Sequence, residues 1–180
     1  MKNADVYEFI YEVYRNDKSV LDYLLAHSES VSKLAVEIAK KQKADVDFVE
    51  RAAILHDIGI IFTDAPKLNC FGKVPYIQHG IYGRELLEKH GFMREAIVAE
   101  THVGVGITAE HILINNLPLP PKDMFPTTLE EEIVAFADLF FSKQPQFLTT
   151  PKPLAEIENT IMRYGGNSRE TFNKWLKKFS

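Results

Sequence analysis

An all-α fold is predicted for this chain on three observations. Apolar residues recur at spacings of three and four over most of its length. No segment of any length alternates apolar and polar residues at the strand period, and no internal repeat is visible. Helix start and stop residues fall at the edges of the periodic segments. With 180 residues, the chain fits a single domain on the usual scale of about 100–200 residues per domain.

Each element follows in turn. Asp5 to Arg15 reads as a short amphipathic helix. Ser19 can cap a longer one running to about Lys43, with Leu21, Leu24, Leu25, Val31, Leu34, Ala35 and Ile38 on one face. Asp45 or Asp47 can cap the next, through Phe48, Val49, Ala52, Ala53 and Leu55, stopping near Gly59. Residues 60–75, with Pro66, Gly72 and Pro75, read as a loop. Tyr76 to His90 forms a helix ended by Gly91, and Met93 to His102 another, followed by a segment broken by Gly104 and Gly106. Ala109 to Asn115 is a short helix, and residues 117–127, holding Pro118, Pro120, Pro121 and Pro126, are irregular. Thr128-Leu-Glu-Glu131 is a capping box opening a helix through about Ser142. Leu154–Tyr164 and Arg169–Phe179 close the chain, split by Gly165-Gly166. The expected organisation is one domain over residues 1–180, its core at about 20–145 and the helices of 154–179 laid on it.

Composition narrows the function. Hydrophobic residues make up 46% of the chain, enough for a sizeable core. The net charge is −4, with both signs mixed, which argues against a protein that coats a nucleic-acid polymer. Cys70 is the single cysteine, so neither an internal disulfide nor a Cys-rich zinc site is available, and a reducing cytoplasm fits. The first residues show no apolar signal segment. The longest apolar run, Ile133 to Phe141, is too short to span a bilayer and is broken by Asp138.

The chemistry lies in polar residues set on apolar faces. His56-Asp57 ends the apolar stretch that begins at Arg51. Burying a neutral polar group without a partner costs roughly 2–7 kcal/mol, and a charge costs more. His27 lies three residues after Leu24 and four before Val31. His79 shares a face with Tyr76, Tyr82 and Leu86; His102 follows Val98 and Ala99 by four and three; Asp138 follows Val134 by four. Any one of these histidines alone reads as a hydrogen-bonded core residue. Four histidines and two aspartates on the inward faces of five helices read instead as a shared metal centre, because imidazole nitrogen and carboxylate oxygen are ordinary ligands. Other residues read as structural: His90 at a helix end, His111 after the glycine loop, the aromatics of residues 7–23 in the core, and Trp175 as a helix anchor. Gly104 and Gly106 turn the chain or bring backbone amides to an anion.

In these residues the chain resembles the HD-domain superfamily of metal-dependent phosphohydrolases. The pattern is His27, then His56-Asp57, then Asp138, and His56-Asp57-Ile58-Gly59 is the tetrapeptide of the HDIG subgroup. The resemblance spans roughly residues 20–145 and implies a helical bundle with a metal at its centre. The added His79 and His102 resemble the two-metal members. By that resemblance His27, His56, Asp57 and Asp138 hold one ion, and His79, His102 and a bridging Asp57 hold the second. Nitrogen and oxygen ligands admit Fe, Mn, Co, Ni or Zn, as one or two divalent ions. Such ions lower the pKa of a bound water toward about 7. The implied reaction is hydrolysis of a phosphomonoester or phosphodiester by that hydroxide. The implied substrate is a nucleotide or another small phosphorylated metabolite, with no nucleic-acid polymer or membrane as partner and a homodimer left open.

The chain departs from the family in places. Ile60 stands where some members carry an acidic residue or a lysine, the Glu-Asp pair of ppGpp hydrolases is missing, and no GYP motif follows. The chain is also short for a dNTP triphosphohydrolase. Asp57, Lys67 and Arg84 are therefore the expected catalytic or phosphate-binding groups, with Asp64 as a further candidate. Two other readings of the same ligand set are an HD-fold di-iron oxygenase and a non-catalytic metal-binding signalling module.

Overall fold

A computed structural model describes residues 3–164 and 167–180. Its nine described helices are α1 (Asn3–Val13), α2 (Lys18–Gln42), α3 (Val46–Leu55), α4 (His79–Lys89), α5 (Met93–Thr101), α6 (Ala109–Ile114), α7 (Leu129–Leu139), α8 (Leu154–Ile161) and α9 (Ser168–Phe179). The expected break at Gly165-Gly166 lies outside the described residues.

The long α2 is the spine. It buries Leu21, Leu24, His27, Val31, Ala35 and Ile38 along one stripe and packs against α3 and α7. Ser19 is not its cap. Leu21 N–H already bonds the Asp17 carbonyl, so the first turn closes earlier and Ser19 lies inside the helix. At the other end Lys43 adopts φ 55°, and the Ala44 N–H reaches back to the Ala39 carbonyl, closing off the last turn. Asp45 caps α3 by accepting from Phe48 N–H at 3.1 Å. On α7, Thr128 Oγ1 accepts from Glu131 N–H, while the Glu131 carboxylate reaches Thr127 N–H at 2.7 Å rather than the N–H of Thr128. The capping box is thus closed one residue early.

Two corrections concern the segment after His56. α3 ends at Leu55 and not near Gly59, because Asp57 leaves helical geometry (φ −101°, ψ 8°) and a 3-10 turn follows over Ile58–Phe62. Tyr14 Oη donates to the Ile58 carbonyl at 2.6 Å and pins that turn. Residues 60–75 are also more than a loop. They form a small sheet of order β2-β1-β3 from β1 (Thr63–Ala65), β2 (Cys70–Phe71) and β3 (Val74–Pro75). β1 pairs antiparallel with β2 (Asp64 opposite Phe71) and parallel with β3 (Thr63 opposite Val74). Strands of two or three residues are too short to show alternation in a sequence. The expected helix from Tyr76 opens as a 3-10 turn over Tyr76–Gln78 before α4 begins at His79.

Two large apolar clusters flank the centre. One joins α1, the first half of α2, the end of α3 and α4 through Ile10, Leu24, Leu55 and Leu87. The other joins α2, α3 and α7 to the C-terminal helices through Val31, Phe136, Ile157, Phe172 and Trp175. The Phe136 ring lies 5.2 Å from Phe179 and 6.1 Å from Phe172, so α9 shares this core.

Glycine sets the separation of the central elements. A Cβ on Gly59 would lie 2.1 Å from the His79 carbonyl oxygen and 2.4 Å from the Gly83 nitrogen. A Cβ on Gly80 would lie 2.5 Å from the Ala99 carbonyl oxygen. The turn after the His-Asp doublet, α4 and α5 therefore meet backbone to backbone. The obstructing atoms are main chain and cannot rotate away. Gly59→Ala is accordingly expected to cost about 3 kcal/mol, at the upper end of overpacking effects, seen as a lowered urea midpoint with unchanged m-value.

Candidate metal centre

Five elements each deliver a polar side chain to one point. His27 comes from the middle of α2, His56 and Asp57 from the end of α3, His79 from the first residue of α4, His102 from the residue after α5, and Asp138 from the last turn of α7. All but Asp138 are buried.

The imidazoles are oriented from behind. The Nδ1 of His56 lies 2.6 Å from the Ala53 carbonyl oxygen, that of His79 2.7 Å from Tyr76 O, and that of His102 2.9 Å from Ala99 O. A carbonyl oxygen only accepts, so each Nδ1 carries a hydrogen, which leaves Nε2 as the ring atom turned to the centre and available as a ligand. The partner is in every case a main-chain carbonyl three residues earlier, and the local helical turn therefore fixes the ring.

The Nε2 atoms converge on the two aspartates. His27 Nε2 lies 3.1 Å from Asp57 Oδ2 and 2.9 Å from Asp138 Oδ1. His56 Nε2 lies 3.0 Å from Asp57 Oδ2 and 3.4 Å from Asp138 Oδ1. On the other side, His79 and His102 Nε2 lie 3.2 and 3.6 Å from Asp57 Oδ1. Asp57 thus turns one oxygen to His27, His56 and Asp138 and the other to His79 and His102. Two ligand groups result, His27–His56–Asp57–Asp138 and Asp57–His79–His102, each with donor atoms within 4.8 Å of one another.

Several of these contacts are unfavourable without a cation. His79 Nε2 and His102 Nε2 face each other at 3.1 Å, lone pair toward lone pair. His27 Nδ1 and His56 Nε2 are buried with no hydrogen-bond partner. Buried polar groups are ordinarily paired, and such orphans need an explanation. The donor set and these orphans fit one or two divalent ions.

The electrostatics agree. Burial lowers the His56 pKa, but the Asp57 and Asp138 carboxylates outweigh it and lift the group to about 10. Burial brings His79 down to about 4 against the pull of Asp57. Burial disfavours the Asp57 carboxylate, yet Lys143 and His56 hold it well below the usual range. Asp138 is held low against burial by His27 and His56.

Lys143 is the residue that the sequence reading missed. Its ammonium pairs with Asp57 Oδ2 and lies 3.3 Å from His27 Nε2. It sits beyond the end of α7, five residues after Asp138, where the chain turns back and Ser142 N–H bonds the Phe147 carbonyl. Neither periodicity nor a motif marks it. The one available signal is a basic residue shortly after the last acidic position.

The centre opens outward. A cavity of 730 Å³ is lined by His27, His79, His102 and Asp138 together with Lys143 and Tyr76. His56 and Asp57 lie beneath this floor. Lys67 and Asp64 line the cavity too. Arg84 does not. Its Nε lies 2.7 Å from Glu88 and its Nη1 2.5 Å from Glu100, and Lys122 holds the other Glu100 oxygen at 2.7 Å. The expected phosphate contact at Arg84 is thus replaced by an ion-pair cluster that ties α4, α5 and the proline-rich segment together. His90 sits at the C-terminus of α4 against Phe9.

Comparisons agree with this geometry. A tRNA (cytidine(56)-2'-O)-methyltransferase from Thermoplasma volcanium is 39% identical over 122 residues, 67% of this chain and 32% of that protein. An uncharacterized protein of Methanocaldococcus jannaschii is 42% identical over 123 residues, 67% of this chain and 65% of that protein. The chain therefore spans less than two thirds of the length of either relative. The HD domain of the L. monocytogenes phosphodiesterase PgpH superposes with a TM-score of 0.52 at 17% identity, covering 88% of this chain and 93% of that one, and so shares the fold. The family model described as HD domain matches residues 24–141, which include all six converging side chains. The chain belongs to the HD domain family.

Proposed function

We propose that this protein is a dinuclear metal-dependent phosphohydrolase acting on a small phosphorylated molecule. The observation that carries the reading is the division of Asp57 between two ligand groups at the floor of an open cavity. His27, His56, Asp57 and Asp138 would hold one ion, and His79, His102 and Asp57 the other. Divalent ions held there supply Lewis acidity toward phosphoryl oxygens and lower the pKa of a coordinated water toward about 7. The name of the PgpH structure as a phosphodiesterase is consistent with this reading.

The chain's own groups do the rest. The backbone carbonyls of Ala53, Tyr76 and Ala99 keep three imidazoles in the tautomer that binds a metal. Cavity size favours a nucleotide or metabolite over a polymer, since small-molecule sites run about 300–1,000 Å³. Lys67 lines the cavity from the 3-10 turn Pro66–Leu68, and in this reading it would offer a cation to a phosphate on the substrate. An open cavity lined by His27, His79, His102 and Asp138 supports the enzyme reading over that of a metal kept only for stability.

Two outcomes follow. With Mn(II) or the metal found on purification, the protein should hydrolyse a generic phosphoester such as a nitrophenyl ester; Asp57→Asn should lower kcat/KM by more than the ~100-fold typical of losing a metal's supporting partner, read by release of the chromophore. An inactive parent across mono- and diesters would contradict the reading. Lys143→Met removes a cation that competes for Asp57. Without metal its melting temperature should fall below the parent's. Saturating metal should raise it by more than in the parent, since binding to the folded state alone stabilises it.

A further inference from the structure

Three lysines line the cavity, Lys67, Lys143 and Lys152, and they are not equivalent. Lys143 is matched by the Asp57 carboxylate. Lys152 and Lys67 have no carboxylate partner among the described residues. Asp64 shares the cavity wall and forms no ion pair with either.

Lys152 is held in place by its own backbone. Its N–H donates to the Phe140 carbonyl at 2.7 Å, so the residue is fastened beside the end of α7, just past Asp138. Its side chain is half-buried, and burial lowers its pKa while Asp138 raises it. Asp138 and Glu156 act on it from a distance and neither pairs with it directly, so an anion arriving in the cavity would offset the cost of its partial desolvation. Lys67, an exposed residue on the turn after β1, lines the same cavity. An ordinary phosphomonoester engaged by the metal-binding floor and Lys143 would leave the half-buried Lys152 without an anionic partner and Lys67 facing water.

Resting on the phosphohydrolase reading above, we infer that the substrate carries a second anionic group, most simply a second phosphate, which Lys152 and Lys67 bind while the scissile phosphate lies over the metal-binding floor. This selects di- and polyphosphorylated molecules over neutral-tailed monoesters and diesters. Lys152 is then a specificity-determining residue, reading charge at a distance from the bond that breaks. Tyr76, Ile77, Val103 and Leu139 line the same cavity and offer an apolar surface to the organic part.

Isothermal titration of the metal-loaded protein with inorganic orthophosphate and with pyrophosphate tests this, with bound metal measured after each run. Pyrophosphate should bind at least about tenfold more tightly, as expected for one or more added charge-assisted contacts. That preference should shrink at least about fivefold in Lys152→Met, and also fall in Lys67→Met. Equal affinity for the two anions, or a preference unmoved in both variants, overturns the inference while leaving orthophosphate binding as support for the phosphohydrolase reading. Binding of neither anion overturns both.

Discussion

The fully buried Asp57 carboxylate is the constraint around which the molecule is arranged. Removing the partner of a buried charge typically costs about 3–5 kcal/mol. Here the carboxylate has Lys143 and four imidazoles around it. Positive charge is what the centre demands. It is met in the polypeptide by the ammonium of Lys143. Divalent ions would meet the same demand more completely, since each replaces several mutually repelling lone pairs with bonds to a cation. The two apolar clusters on either side give this polar centre its low-dielectric walls.

Placing six side chains at one point from five elements requires the backbones to approach closely. The structure places glycine at the contacts, and the chain leaves α-helical geometry at Asp57. If α3 continued as an α-helix past His56, the Asp57 side chain would sit about 100° around the axis from its neighbour. Asp57 instead leaves helical geometry (φ −101°, ψ 8°), and residues 56 and 57 both address the centre. Gly59 then passes against the start of α4, and Gly80 passes against α5, which brings His79 and His102 to their places. The glycine of the His-Asp-Ile-Gly tetrapeptide thus has a steric role: it sets the distance between the two ligand groups.

Much of this was legible in the sequence, and the reasons are specific. The helical type of α2, α3 and α7 followed from long apolar stripes, and the Asp45 cap from a single residue type at the right place. The six converging residues were legible because each lay three or four positions from apolar neighbours, where an ionisable side chain is forced inward. What was not legible depended on tertiary contacts. The short sheet rests on strands of two or three residues. The start of α2 was settled by a backbone bond to Asp17 and not by the hydroxyl of Ser19. Arg84 was placed by helical spacing beside His79, but Glu88 one turn on and Glu100 from α5 draw it away. Lys143 lies in an irregular turn, where no periodicity says which way a side chain points.

Metal content per chain, measured by elemental analysis on protein purified without oxygen or added metal, tests the dinuclear centre most directly when run beside His79→Ala and His102→Ala. The account predicts close to two ions in the parent and close to one in each variant, because His27, His56, Asp57 and Asp138 remain as a complete group. One ion in all three proteins would contradict it and would leave His79 and His102 as contacts to substrate.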